Sequence, residues 1–347
     1  MRTFIRLFDI FLAVVCVFYF CAAGFRAESI SVSSRPERQV YVSGEIFGIK
    51  LYTNGVIVVG TQAVDTAEQR INPAARAGIE VGDIIISINN IDVFSSNEVS
   101  SVLNDNNGEA YKIKIKRNER YKTFILTPAY SEREGCYKAG MWVRDSTAGI
   151  GTITYYDKKS GNFASLGHQV NDVDTNELMP LLDGEAVSAK VTKIQKARAG
   201  TTGMLSCDFE ECSIGRLLEN TQTGLYGAYS NIGESAYPIN VASKREVKQG
   251  KAQILTTVDE DKPKLYDIEI IRVKLKSSRE QKDIVFRITD KELLEKTGGI
   301  IQGMSGSPVI QNNKLVGAVT HVIVSNPKKG YAVFAQTMLE ESDSVAK

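Results

Sequence analysis

Histidine is nearly missing from this chain: His168 and His321 are the two it holds among 347 residues. Cysteine is scarce as well, with five, of which Cys16 and Cys21 fall in an apolar N-terminal stretch. The other three, Cys136, Cys207 and Cys212, are an odd number, which excludes a complete disulfide framework for the rest of the chain. Cys207 and Cys212 are close enough in sequence to pair. No second cysteine pair or histidine cluster exists to finish a zinc site, so a metalloenzyme is not expected and no cofactor is implied. An excess of one charge is missing too, since 42 basic side chains face 41 acidic ones and leave +1. A nucleic-acid footprint needs a basic excess or stripe. The short cluster Lys112-Lys114-Lys116-Arg117 has instead the alternation of a strand with one solvated face.

Long apolar runs are limited to the N-terminus. Arg2 and Arg6 precede an apolar stretch over residues 10–25, closed by Arg26. At 1.5 Å per residue this is just short of the ~20 residues that span a bilayer, and extension back to Leu7 reaches a full span. The segment reads as an uncleaved anchor. A removed secretory signal, cut near Ala22-Ala23-Gly24 or Ala27, is the alternative. In both cases the basic flank sends the remainder out of the cytoplasm.

Residues 29–39 are polar, contain Pro36 and read as a linker. Strand-like pattern starts near Val40, with Gly44-Glu45-Ile46-Phe47-Gly48-Ile49-Lys50-Leu51 leading to Gly55-Val56-Ile57-Val58-Val59-Gly60. A helical turn ended by glycine follows in Pro73-Ala74-Ala75-Arg76-Ala77-Gly78. Then come Val81-Gly82-Asp83-Ile84-Ile85, a tight turn at Asn89-Asn90, a helix start near Ser96, and a half-buried strand in Tyr111-Lys112-Ile113-Lys114-Ile115-Lys116. These pieces resemble a PDZ domain of the kind attached to bacterial proteases, covering residues 40–128. The resemblance places a peptide-gripping loop at Gly48, Ile49, Lys50 and Leu51, with capture of a peptide by strand addition.

Beyond Tyr130 short apolar stretches alternate with Gly, Ser, Thr and Asn turns to the C-terminus, which points to an all-β sandwich or barrel. Val309-Ile310-Gln311-Asn312-Asn313-Lys314-Leu315-Val316 reads as a hairpin. Residues 290–297 and the charged tail near Met338 are the helical candidates.

The run Gly303-Met304-Ser305-Gly306-Ser307-Pro308 carries the chemistry. A nucleophilic serine must project from a tight turn whose N–H groups face the developing oxyanion, and small neighbours let the chain bend that closely. The run resembles the Gly-x-Ser-Gly-Gly-Pro motif of chymotrypsin-like peptidases, with Ser307 replacing the second glycine. That match makes Ser305 the nucleophile and assigns the oxyanion hole to the N–H groups of Gly303 and Ser305. Of two histidines, His168 sits at a strand end entering a polar loop, where it can be aimed into a cleft. His321 lies inside a strand and reads as a packed or surface residue. The orienting carboxylate is open on local grounds among Asp290, Asp172 and Asp174.

Leu166-Gly167-His168, Asp172-Val173-Asp174-Thr175 and the long run from Ile288-Thr289-Asp290 to Ser307-Pro308 together resemble the S55 family of serine peptidases from endospore-forming bacteria. The resemblance implies His168 as base, Asp290 as orienting acid and Ser305 as nucleophile. It also implies self-cleavage and then cleavage of a membrane-bound regulator, so that an intramembrane protease activates a mother-cell sigma factor. The location would be the forespore side of the intermembrane space. Gln169 departs from the small residue expected after the histidine.

The sequence thus reads as mainly β: a membrane segment (1–28), a linker (29–39), a PDZ domain (40–128) and a chymotrypsin-like β-barrel serine peptidase domain (129–347). Its partners are its own chain, a membrane-bound protein substrate and the membrane, and not nucleic acid. The alternative is a non-catalytic PDZ scaffold with a degenerate peptidase domain. A general quality-control protease is disfavoured, because there the PDZ usually follows the peptidase.

Overall fold

The computed structural model describes residues 38–104, 108–259, 262–275 and 282–345. The N-terminal membrane segment and nearly all of the linker lie outside the described residues. Among the described residues no helix is long and apolar enough to cross a membrane.

Strands dominate, and their pairing order explains the architecture. The 16-residue strand Ile46–Thr61 and the 17-residue strand Met141–Asp157 are two of the long strands that frame the fold. Following hydrogen-bonded neighbours from Met141–Asp157 leads to Asn162–Ser165, then Gly224–Tyr229, Gly203–Thr221, Leu181–Gln195 and Ile46–Thr61. That last strand pairs back with Met141–Asp157. All these pairs are antiparallel, and the ladder closes on itself. Inside this first ring lie Phe47, Ile49, Leu51, Ile153, Phe163, Leu166, Ala186 and Leu225, all buried.

A second closed ladder runs Gly250–Thr256, Lys264–Val273, Ile284–Ile288, Lys329–Phe334, Lys314–Val322, Pro308–Gln311 and back to Gly250–Thr256. Its interior holds Ile254, Ile268, Phe286, Met304, Val309, Val319 and Phe334. Asn312 and Asn313 both adopt positive φ (50° and 58°) in the hairpin turn before Lys314, the backbone that asparagine tolerates best after glycine. The helices Lys291–Thr297 and Ala335–Val345 fall where the sequence signals put them.

Between the two long strands sits a smaller unit. Helix Pro73–Ala77 starts with Asn72 accepting from Ala75 N and ends on Gly78 at φ 86°. Strands Ile84–Ile88, Tyr111–Arg117 and Arg120–Leu126 with helix Ser96–Asn104 pack Val58, Ala74, Ile85, Val99, Tyr111, Ile113 and Ile115 into one core. The alternation over Tyr111–Arg117 is as read: Tyr111, Ile113 and Ile115 are buried while Lys112 and Lys114 are exposed. Asp83 of the Gly82-Asp83 turn is buried and receives two hydrogen bonds from the Arg117 guanidinium.

One site expectation fails here. Gly48, Ile49, Lys50 and Leu51 do not form a ligand-gripping loop. They lie mid-strand, paired on one side with Ile150, Gly149, Ala148 and Thr147 and on the other with Val187, Ala186, Glu185 and Gly184. A strand paired on both edges has no backbone N–H or C=O left for a peptide. Gly48 is glycine because a Cβ there would lie 2.8 Å from the Phe209 ring. Residues 39–42 likewise pair with 237–240 and 155–156 rather than with the smaller unit.

Cys207 and Cys212 are free thiols on one strand.

Because Ile46–Thr61 closes the first ring, a fragment of residues 129–347 lacks one wall. It is expected to show no cooperative thermal transition by circular dichroism, whereas residues 38–347 unfold cooperatively. A sharp transition in the 129–347 fragment would contradict this topology.

Candidate active site

The turn Gly303-Met304-Ser305-Gly306-Ser307 joins the short strand Ile301–Gln302 to Pro308–Gln311. Its carbonyls are held by the first ring. Thr152 Oγ1 donates to Gly303 O at 2.7 Å, Thr152 N–H to Ser305 O at 2.8 Å, and Thr154 Oγ1 to Gly306 O at 2.7 Å. Both threonines are fully buried. Gly306 has φ 94°, and a Cβ there would fall 2.0 Å from Thr152 O and 2.5 Å from Leu166 N, so no other residue fits. The Gly306 N–H donates to Val319 O at 2.8 Å, which docks the turn on strand Lys314–Val322. Ser305 is partly exposed, and its Oγ donates to Thr320 O at 2.9 Å.

His168 reaches the same strand from the other side. Leu166 and Gly167 both take positive φ (65° and 68°), which turns the chain sharply after Asn162–Ser165. Gly167 is pressed against Thr320, where a Cβ would sit 2.9 Å from its Cγ2. The His168 ring then stacks on His321, with centroids 4.8 Å apart and planes tilted by 38°. Ser305 thus bonds the Thr320 carbonyl while His168 stacks on the next residue, His321.

His168 Nδ1 is 2.8 Å from Gln169 O. A carbonyl can only accept, so Nδ1 carries the proton and the neutral ring keeps its lone pair on Nε2. Burial lowers the His168 pKa from its ordinary 6.5, against a smaller opposing effect of the Gln169 carbonyl. His321 is pushed down to about 4 by the protein packed around it, then by His168 and Lys282. His321 sits in a strand as read, but it belongs to the site.

The three carboxylates are spent elsewhere. Asp290 is the N-cap of helix Lys291–Thr297: Oδ1 accepts from Leu293 N–H at 2.9 Å and Oδ2 from Asp267 N–H at 3.3 Å. It does not meet His168 here. An aspartate three residues before the first buried position of a helix is a capping signal, and the cap satisfies an otherwise orphan donor. Asp172 is buried, accepts from Asp174 N–H and from Thr175 N–H and Oγ1, and pairs with Arg144, which also binds Asp174. Burial pushes the Asp172 carboxyl up, but the Thr175 N–H and then Arg144 outweigh it and hold it below the ordinary range. The orienting acceptor on His168 is the Gln169 carbonyl.

A second cleft, of about 400 Å³, opens between helix Ser96–Asn104 and residues 141–143. Val99, Leu103, Tyr137, Met141, Trp142 and Val143 line it. Residues 141–144 pair with 57–61 on one side.

The match to known proteins agrees with this division. A family model described as SpoIVB peptidase S55 matches residues 135–339, and a PDZ domain model matches residues 70–117. A candidate zinc metalloprotease of Clostridium acetobutylicum is 37% identical over 70 residues, which is 20% of this chain and 21% of that protein. Another from Lactococcus lactis is 24% identical over 127 residues, 37% of this chain and 28% of that protein. The chain thus spans less than a third of the length of these curated relatives. A solved PDZ domain of the SdrC-like protein from Listeria monocytogenes is 22% identical, with a TM-score of 0.21, covering 26% of this chain and 87% of that one.

Asp290→Ala is expected to destabilise the protein by about 1 kcal/mol through loss of the cap, and Asp290→Asn by a few tenths at most. Denaturant titration of both variants checks this. Equal losses in the two would contradict the capping assignment.

Proposed function

Because the chain belongs to the SpoIVB peptidase S55 family, serine peptidases of sporulation, we propose that it cleaves peptide bonds through an acyl-enzyme on Ser305. The observation that carries the reading is that Ser305, on a turn clamped by Thr152 and Thr154, and His168 contact adjacent residues of one strand, Thr320 and His321. The two closed ladders are read as the paired β-barrels of a chymotrypsin-like peptidase, with the base from the first and the nucleophile from the second.

The steps follow from the groups in place. In the resting state the Ser305 proton rests on Thr320 O. Rotation about χ1 hands it to His168 Nε2 as Oγ attacks the substrate carbonyl carbon. The carbonyl π electrons move to oxygen, and the oxyanion is met by the N–H groups of Gly303 and Ser305. The imidazolium gives its proton to the amine nitrogen as the C–N bond breaks. Water repeats the sequence on the acyl-enzyme, which frees the acid and restores Ser305. Throughout, the Gln169 carbonyl holds Nδ1–H and fixes the tautomer, the task a carboxylate performs in other triads. Asp290 would have to surrender two N–H donors to take that part.

The PDZ unit supports a protein substrate, and its cleft beside residues 141–143 is read as the place where an extended chain adds to a strand edge. Self-processing, cleavage of a membrane-bound regulator that leads to sigma-factor activation, and tethering through residues 1–28 on the forespore side of the intermembrane space complete the reading. The family match and the PDZ unit support it. A scaffold with a degenerate peptidase domain is disfavoured by the intact turn.

Ser305→Ala is expected to abolish fluorophosphonate labelling and self-cleavage while the circular dichroism spectrum is kept. Cleavage at the wild-type rate by that variant would sink the assignment. His168 must be neutral to act as base, and burial lowers its pKa, so activity is full above that pKa and lost below it. The acid limb of kcat/KM is therefore expected at a midpoint below 6.5. A midpoint above that value would contradict the buried, carbonyl-held imidazole.

A further inference from the structure

The amide of the nucleophile can stabilise an oxyanion only if one peptide plane, Met304–Ser305, faces the right way. In a trans peptide the C=O and N–H point in opposite directions, and no peptide bond among the described residues is cis. Whatever holds the Met304 carbonyl therefore aims the Ser305 N–H.

That carbonyl is held by Ser307. It accepts from Ser307 N–H at 3.0 Å and from Ser307 Oγ at 2.7 Å. Ser307 is fully buried, and its Oγ also lies 2.8 Å from Thr256 Oγ1, another fully buried hydroxyl at the end of strand Gly250–Thr256. A hydroxyl has one proton. Ser307 Oγ is the donor toward both oxygens, so its single proton is shared between Met304 C=O and Thr256 Oγ1, and Thr256 acts as the acceptor that seats the hydroxyl in the turn. The Met304 side chain is fully buried in the second core, which anchors the other end of the plane. Among the described residues the Ser305 N–H donates to no turn or loop acceptor.

We propose that Ser307 is a positioning residue for the oxyanion hole, in that its N–H and its hydroxyl, the latter seated against Thr256, lock the Met304–Ser305 peptide plane with the Ser305 N–H turned toward the substrate. The inference rests on Ser305 as nucleophile. It gives a physical role to the serine that stands where the chymotrypsin-like motif has glycine, a residue without a hydroxyl to offer. Loss of that hydroxyl leaves the longer bond from Ser307 N–H, so the turn persists while the plane is free to rock.

The test measures, on the full-length chain, phosphorylation of Ser305 by diisopropyl fluorophosphate, with fluoride as leaving group, and hydrolysis of p-nitrophenyl acetate. Ser307→Ala and Ser307→Gly are each expected to slow both reactions roughly 10- to 100-fold, short of or equal to the loss of a whole oxyanion donor. The loss should fall on kcat with KM for the ester unchanged. Thr256→Val removes only an acceptor and leaves the Ser307 proton to the carbonyl, so it is expected to react within about threefold of wild type. Ser307→Gly carries the residue of the chymotrypsin-like motif, so it remains informative if Ser307→Ala does not fold. Wild-type rates in Ser307→Ala and Ser307→Gly would overturn the proposal, as would an equal loss in Thr256→Val. A wild-type chain that is never labelled at Ser305 would overturn the nucleophile assignment itself, so the two failures are told apart.

Discussion

Three hydrogen bonds, from Thr152 N–H, Thr152 Oγ1 and Thr154 Oγ1 to the carbonyls of Ser305, Gly303 and Gly306, join the two closed strand ladders at the one place where chemistry is read. Each is worth only about 1 kcal/mol net, but a buried carbonyl left without a donor costs more than that. The bonds therefore determine the turn more by what their absence would cost than by what they contribute. Both threonines come from one strand, Met141–Asp157, whose first residues pair with residues 57–61 of the PDZ unit. The same strand thus borders the PDZ cleft at one end and holds the Ser305 turn at the other.

This arrangement depends on residues far from the site in sequence. The first ladder closes only because residues 47–51 insert between residues 147–151 and residues 184–188. The PDZ unit is accordingly an excursion between two strands of the first ladder. Its core, built on Ile85, Val99, Tyr111 and Ile113, is separate from that of the ladder, built on Phe47, Ile49 and Phe163.

Local chemistry in the sequence was legible, and partnership between distant strands was not. The Ser305 turn could be read because small residues crowd it, and His168 because Leu166-Gly167 marks a sharp turn at a strand end. The PDZ unit was legible from its glycine-capped helix, its Gly82-Asp83 turn and the alternation at Tyr111–Arg117. Gly48 to Leu51 was misplaced because alternating apolar pattern says that a segment is a strand but not which strands flank it. Asp290 was taken from the family resemblance, although its position before Leu293 is the pattern of a cap. Thr152 and Thr154 went unnoticed for a simpler reason. Their two-residue spacing places both hydroxyls on one strand face, but nothing nearby in sequence reveals that this face meets residues 303–306. His321 was read as a packed or surface strand residue, and only the fold brings its ring onto His168.

The central claim is that Ser305 attacks from a turn whose peptide planes are already set for the oxyanion. The most direct measurement is a crystal structure of the full chain after phosphonylation. The account predicts a covalent bond to Ser305 Oγ, with a phosphoryl oxygen about 3 Å from both the Gly303 and Ser305 N–H groups and His168 Nδ1 still on the Gln169 carbonyl. An adduct whose oxygen faces away from those two amides, or one formed on a different serine, would contradict it.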